Sequence, residues 1–287
     1  MKLVFSRKGF DSAAGGMPSP ILPDGRLVSL PILDSRSRIR YGDITSDGRS
    51  LGPLVDQLSD GRVRSHWRAH LDPDLVRESL LRSPGWRPLF GQAGAAQGHL
   101  RNHGVGPGDL FLFFGLFRQV EFVGGAYAWA RGSRPCHVLW GWLQIGEALE
   151  LGPSTPAGYA WAAYHPHFRR GRGPSTVHVA SRELTLRAIA APGIPGAGAF
   201  ARFSPRLRLT ATLAQHPSTC DLPSWFYPTG NRTPLTYHAD PERWRMLGQR
   251  TELRAAARGQ EFVLDGDEYP EAVPWACDLL ETEERRS

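Results

Sequence analysis

Apolar positions along the chain fall in short runs separated by glycine, proline and polar turns, a spacing that predicts strands more than helices. Residues 2–6 read as a short strand. The chain after it, with Gly15-Gly16, Pro18, Pro20 and Pro23-Asp24-Gly25, reads as surface turns. Residues 26–30 alternate like a strand until Pro31 ends it. The clearest element is the apolar, aromatic run 108–114, opened by Gly108-Asp109 and too short to span a bilayer, which predicts a buried strand. Segments 119–122, 137–145, 177–186 and 207–213 continue the set at spacings that suit a barrel or curled sheet.

Helical signals are fewer. Asp72-Pro73-Asp74 offers a capping carboxylate before a first-turn proline and predicts a helix to about Leu81. Residues 92–103 predict a second helix, closed by Gly104. Asp240-Pro241 repeats the cap and predicts a helix through 245–257, and Pro270 starts a last one reaching Leu280. The expectation is an α+β fold: a β-barrel or curled mixed sheet with flanking helices in a single domain over 1–287. Residues 1–70 supply N-terminal strands and a functional loop, 100–215 the barrel core, and 240–282 the C-terminal helices.

Composition narrows the class of protein. With 287 residues and 41% hydrophobic content the chain can bury a full core, which excludes fibrous and disordered classes. No apolar run approaches the roughly 20 residues that span a bilayer, and the N-terminus turns polar by Ser6, which predicts a cytoplasmic protein with no membrane partner. Three cysteines, Cys136, Cys220 and Cys277, lack C-x-x-C spacing and argue against a disulfide framework or a thiolate zinc site. The net charge of +6 favours a polyanionic partner such as nucleic acid, nucleotide or phosphorylated metabolite, or simply a solvated basic surface.

The basic residues are divided unequally, because Lys2 and Lys8 are the only lysines and all others are arginine. Lys8 stands inside the cluster Ser6-Arg7-Lys8-Gly9-Phe10-Asp11-Ser12, directly after a strand and ahead of Gly15-Gly16, where backbone N–H groups can approach a ligand. It matches neither the P-loop nor the dinucleotide fingerprint. In a catalytic version Lys8 is nucleophile or proton donor, Asp11 holds its charge, Ser12 assists, and Arg7 with Ser6, Gly15 and Gly16 anchors the anionic part of a substrate. The bland version is an Arg7–Asp11 pair across a turn.

Elsewhere, Arg169 and Arg170 in Phe168-Arg169-Arg170-Gly171-Arg172-Gly173 combine with an aromatic in the manner of single-strand binders and offer a second wall for an anion. His165-Pro166-His167 is a weak metal candidate, because no companion Glu or Cys completes a ligand pattern, and the expectation is no metal. Trp140 and Trp142 share a strand face and are core residues or a stacking platform for a base.

Two resemblances extend this reading. Gly106-Pro107-Gly108-Asp109 with its strand, followed by Val138–Glu147, resembles the opening and return strands of PUA-like domains, including the EVE and ASCH groups, and implies RNA or modified-base binding beside a barrel. A longer one runs through Ser6–Ser12, Gly15-Gly16, Pro18-Ser19-Pro20, Pro23-Asp24-Gly25, Ser29–Ile32, Tyr41-Gly42-Asp43-Ile44 and Gly259-Gln260-Glu261-Phe262-Val263. It is similar to the nucleotide modification associated domain 3 family and implies a context of base modification, with Asp43 joining the binding set. The expected activity is a nucleotide or nucleobase modification enzyme, transferase or hydrolase. The alternatives are a non-catalytic reader of modified bases and an enzyme of a small phosphorylated metabolite. The sequence leaves cofactor and protein partners open.

Overall fold

The computed structural model describes residues 1–11, 14–152, 155–169, 175–186, 189–257, 259 and 261–284, with the backbone alone at 169, 189–192, 283 and 284. Among these, nine strands build one mixed sheet: β1 (Lys2–Arg7), β2 (Ser19–Ile21), β3 (Leu89–Ala93), β4 (Leu110–Val123), β5 (Ala126–Trp129), β6 (Cys136–Leu151), β7 (Ser175–Ala180), β8 (Ala197–Ala199) and β9 (Glu261–Asp265). The main path runs β9-β1-β4-β6-β7-β3, with β2 and β5 on β4 and β8 on β6. Three helices, α1 (Leu51–Leu58), α2 (Gly94–Asn102) and α3 (Ala272–Glu284), flank it, so the fold is α+β with a curled sheet, as the sequence predicts.

β1 is buried from Leu3 to Ser6 because it is paired on both sides, parallel to β4 (Leu3 opposite Leu110) and antiparallel to β9 (Ser6 opposite Glu261). Asp109 explains the Pro-Gly-Asp turn before β4. One of its carboxylate oxygens accepts the Lys2 N–H at 2.7 Å and the other accepts Gly106 N–H at 3.0 Å, tying the turn to the first strand. The apolar run 110–114 is fully interior, and it continues without a breaker through the separately predicted segment 119–122 as one long strand.

The sheet curls because β6 is long and bulged, at Leu139/Gly141 against β4 and at Ile145/Glu147 against β7. Its first half pairs with β4 and its second half with β7, which carries β3 around toward β9. Trp140 and Trp142 both lie in the core, at 7% and 1% exposure, with Trp142 packed against Phe200, so neither forms a stacking platform on the surface. A second apolar cluster forms beside the sheet from Phe10, Leu30, Tyr41, Val55 and their neighbours. Ser50 caps α1 there, and the hairpin strand β5 holds that helix by Trp129 Nε1 donating to Leu58 O at 3.1 Å.

Five local expectations are corrected. Residues 72–81 form a single 3-10 turn, Arg77–Ser79, instead of a helix, because the Asp72 and Asp74 carboxylates are taken by tertiary partners. Residues 245–257 form a hairpin, Trp244–Leu247 with Arg250–Arg254; Asp240 does cap, but only the 3-10 turn Pro241–Arg243. The 177–186 stretch divides into β7 and a separate strand, Glu183–Leu186. Residues 26–30 and 207–213 make isolated bridges in place of strands. The three cysteines are buried and free, and no described helix is long and apolar enough to cross a membrane.

Candidate functional site

The opening segment leaves the sheet at Lys8, whose backbone N–H still reaches Phe114 O at 2.8 Å. The chain then closes a tight turn, with Asp11 N–H donating to Ala14 O, Gly16 N–H to Asp11 O, and Ala14 N–H to the Asp11 carboxylate at 2.7 Å. Gly15 and Gly16 take positive φ there, at 87° and 71°. Arg7, Lys8, Gly9, Asp11 and Ala14 form one wall of an open cleft of about 180 Å³.

The carboxylate that holds Lys8 is Glu261 on β9, with Nζ 2.7 Å from Oε1. The same oxygen accepts the Gln92 side-chain amide at 2.5 Å, while Oε2 is buried with no hydrogen-bond partner. Lys8 also lies 4.8 Å over the Phe90 ring, so its ammonium is fixed by charge and by an aromatic face. Arg7 donates to the backbone carbonyls of Ala257 and Gly259 at 3.1 and 3.2 Å, tying the loop to the approach to β9.

A second wall comes from His70, Asp72, Gly91, Gln92 and His167. Three imidazoles converge on one carboxylate. His167 Nε2 lies 3.2 Å and His70 Nε2 3.6 Å from Asp72 Oδ2, and His165 Nε2 lies 3.3 Å from Oδ1. Burial alone raises the Asp72 carboxyl, but the neighbouring imidazoles hold it well below the usual carboxylate range. Burial lowers His70, yet Asp72 and Asp34 outweigh it and raise the ring above its ordinary value. For His167, burial prevails over Asp72 and the pKa falls. Among the described residues His70, Asp72 and His167 are the group whose donor atoms lie close enough to hold one metal ion, all within 4.8 Å of one another.

The residues matched by a family model include both walls. The chain belongs to the nucleotide modification associated domain 3 family, whose model matches residues 2–265. No curated protein and no solved structure matches it. The name ties this family member to nucleotide modification, and the matched span contains Lys8, Asp72, Gln92, His167 and Glu261 alike.

The predicted site residues have different fates in this family member. Arg7, Lys8 and Asp11 come together in the cleft. Ser6 is buried within β1, and Asp43 accepts the Arg40 N–H at 2.9 Å in a turn that does not line the cleft. Ser12 and Arg170 lie outside the described residues, as does the side chain of Arg169. His165 and His167 find the companion that sequence reasoning missed. It read Asp72 as a helix cap, although His70-x-Asp72 repeats the i, i+2 spacing of His165-x-His167. Gln92 and Glu261 were also missed as site residues; no local signal distinguishes them.

Proposed function

We propose that this cleft binds a nucleotide or nucleobase and that the protein is an enzyme that modifies it. The observation that carries the reading is the pairing of two unlike polar walls in one cleft. On one side the fixed cations Arg7 and Lys8 suit a phosphate or another anionic group. On the other, the imidazole–carboxylate cluster offers proton-transfer or polarising groups. The family association supports a nucleotide as ligand. A reader of bases needs shape and hydrogen bonds, whereas buried titratable clusters with shifted pKa values are typical of reaction centres, which favours an enzyme. Kinship with PUA-like barrels fits the same reading, since Pro107-Gly108-Asp109 opens a core strand of the curled sheet.

Calorimetric titration with nucleoside 5′-monophosphates and with short single-stranded and duplex oligonucleotides tests it. At least one class binds, and Arg7→Ala and Arg7→Gln each weaken it tenfold or more while circular dichroism shows the fold retained. Steep salt dependence identifies a nucleic acid, and weak dependence a free nucleotide. Failure of every probe at low salt, or affinity untouched by both substitutions, overturns the reading.

A further inference from the structure

The cluster at the second wall has internal distances that its own hydrogen bonds do not explain. An imidazolium–carboxylate hydrogen bond is ordinarily about 2.7–2.9 Å long. His70 makes one of that kind at Nδ1, 2.8 Å from Asp34, yet its Nε2 stands 3.6 Å from Asp72 Oδ2, and the His167 Nε2 stands 3.2 Å from that same oxygen. For metal–ligand bonds of about 2.0–2.2 Å, the edge between two ligands of a tetrahedral ion is roughly 3.3–3.6 Å. The two separations meeting at Oδ2 lie close to that edge, and all three donor atoms fall within 4.8 Å of one another.

The surrounding groups point the same way. His70 Nδ1 is anchored by Asp34 and His167 Nδ1 by Ser175 Oγ at 2.9 Å, which leaves both Nε2 atoms turned toward the shared carboxylate oxygen. Such outer partners fix the tautomer and orientation of metal-binding imidazoles. The other oxygen of Asp72 is held by the Gly91 N–H at 2.8 Å, leaving Oδ2 as the single ligand oxygen. Gly91 itself is a requirement of the arrangement, because a Cβ there would come within 2.3 Å of the His167 ring. Fully buried His165, its Nε2 3.3 Å from Asp72 Oδ1, sits on the other carboxylate oxygen.

We propose that His70, Asp72 and His167 bind one divalent transition-metal ion. Two imidazoles and one carboxylate suit zinc, iron or manganese. All three residues line the cleft, so the positions they leave open face it. Three protein ligands with an open position are the pattern of catalytic sites, in contrast to closed structural ones. The ion polarises a ligand group or a water molecule in the cleft that Lys8 also lines.

The test uses untagged full-length protein stripped by chelator dialysis and titrated with Co²⁺, read by visible ligand-field absorption, then competed with Zn²⁺. One Co²⁺ per chain is expected. Asp72→Asn, His167→Gln, His70→Gln and Gly91→Ala each weaken it a hundredfold or more, while His66→Gln, at an exposed histidine outside the cleft, binds as the wild type does. Circular dichroism selects the variants that fold, and Gly91→Ala, which removes no ligand, keeps the test open if a ligand variant does not. Absence of Co²⁺ binding overturns the proposal, as does binding that survives unchanged in every folded ligand variant. No nucleotide is present, so this inference and the assignment of the cleft's ligand fail separately.

Discussion

Gln92 and Glu261 stand on strands at opposite ends of the sheet path, and the amide of the first donates to the carboxylate of the second at 2.5 Å. The bond bridges the seam of the curled sheet, and Lys8 is clamped to the same oxygen. The reactive-looking lysine is therefore also part of what holds the two ends together.

Removing the carboxylate at this seam has a predictable cost. Lys8 and Glu261 side chains are 11% and 1% exposed, so Glu261→Gln leaves a buried ammonium without its counter-charge. The expected loss is about 3 kcal/mol of folding stability, read by urea unfolding. Lys8→Met combined with Glu261→Leu loses clearly less than the sum of its single substitutions, because neither charge is then left alone. Additive losses in that double-mutant cycle would remove the pair from the stability of the seam.

A second buried pair holds the segment that carries Asp72. Asp74 is fully buried and accepts both guanidinium nitrogens of Arg82, at 2.6 and 2.7 Å, and the Tyr164 hydroxyl at 2.5 Å. Asp74→Ala strands Arg82 and is expected to destabilise by about 3–5 kcal/mol. Hydrogen exchange at the Asp74 and Leu89 amides checks the local effect, since the Asp74–Leu89 backbone bridge is released with the side chain. Protection unchanged at Leu89 amide would show that the pair does not hold this segment.

These two pairs also show why the fold was more legible than the site. Leu110–Phe114 announces a buried strand because its five side chains leave no polar face for water. Asp72-Pro73-Asp74 and Asp240-Pro241 carry one local signal, yet only Asp240 caps, accepting Glu242 N–H at 3.0 Å. The carboxylates at 72 and 74 are committed to His167, 95 positions on, and to Arg82. Local sequence does not encode which partner wins. The Lys8 loop was found from its rarity and its glycines, but Glu261 lies 253 positions away and is joined to it only by strand pairing.

The two loop glycines are expected to differ although both have positive φ. A Cβ at Gly16 meets nothing within 4 Å, whereas one at Gly15 falls 2.5 Å from the buried Phe10 ring. Gly16→Ala costs only the backbone strain of the left-handed region, about 1 kcal/mol. Gly15→Ala adds displacement of Phe10, which packs on Tyr41 in the second core cluster. It should lower the melting temperature several degrees further, by differential scanning calorimetry. Equal shifts for the two variants would mean that Phe10 is not fixed by this turn.

His137 gives the protein an acid sensitivity of known sign. Burial pushes its pKa down to about 4, and the nearby charges of Arg7 and His216 act in the same direction against Asp11. Its Nδ1 is buried with no hydrogen-bond partner. In the unfolded chain the ring takes a proton near pH 6.5, and in the folded chain only near 4. Between those values the unfolded state holds the extra proton. This contribution is complete above pH 6.5 and is lost as the pH falls toward 4, by at most about 3 kcal/mol. His178, also lowered to about 4 by burial, adds a slope in the same window, so the informative quantity is a difference between proteins. Urea unfolding at pH 7 and at pH 4.5 should show a smaller loss of stability for His137→Gln than for the wild type. Identical losses would assign the acid sensitivity to other groups.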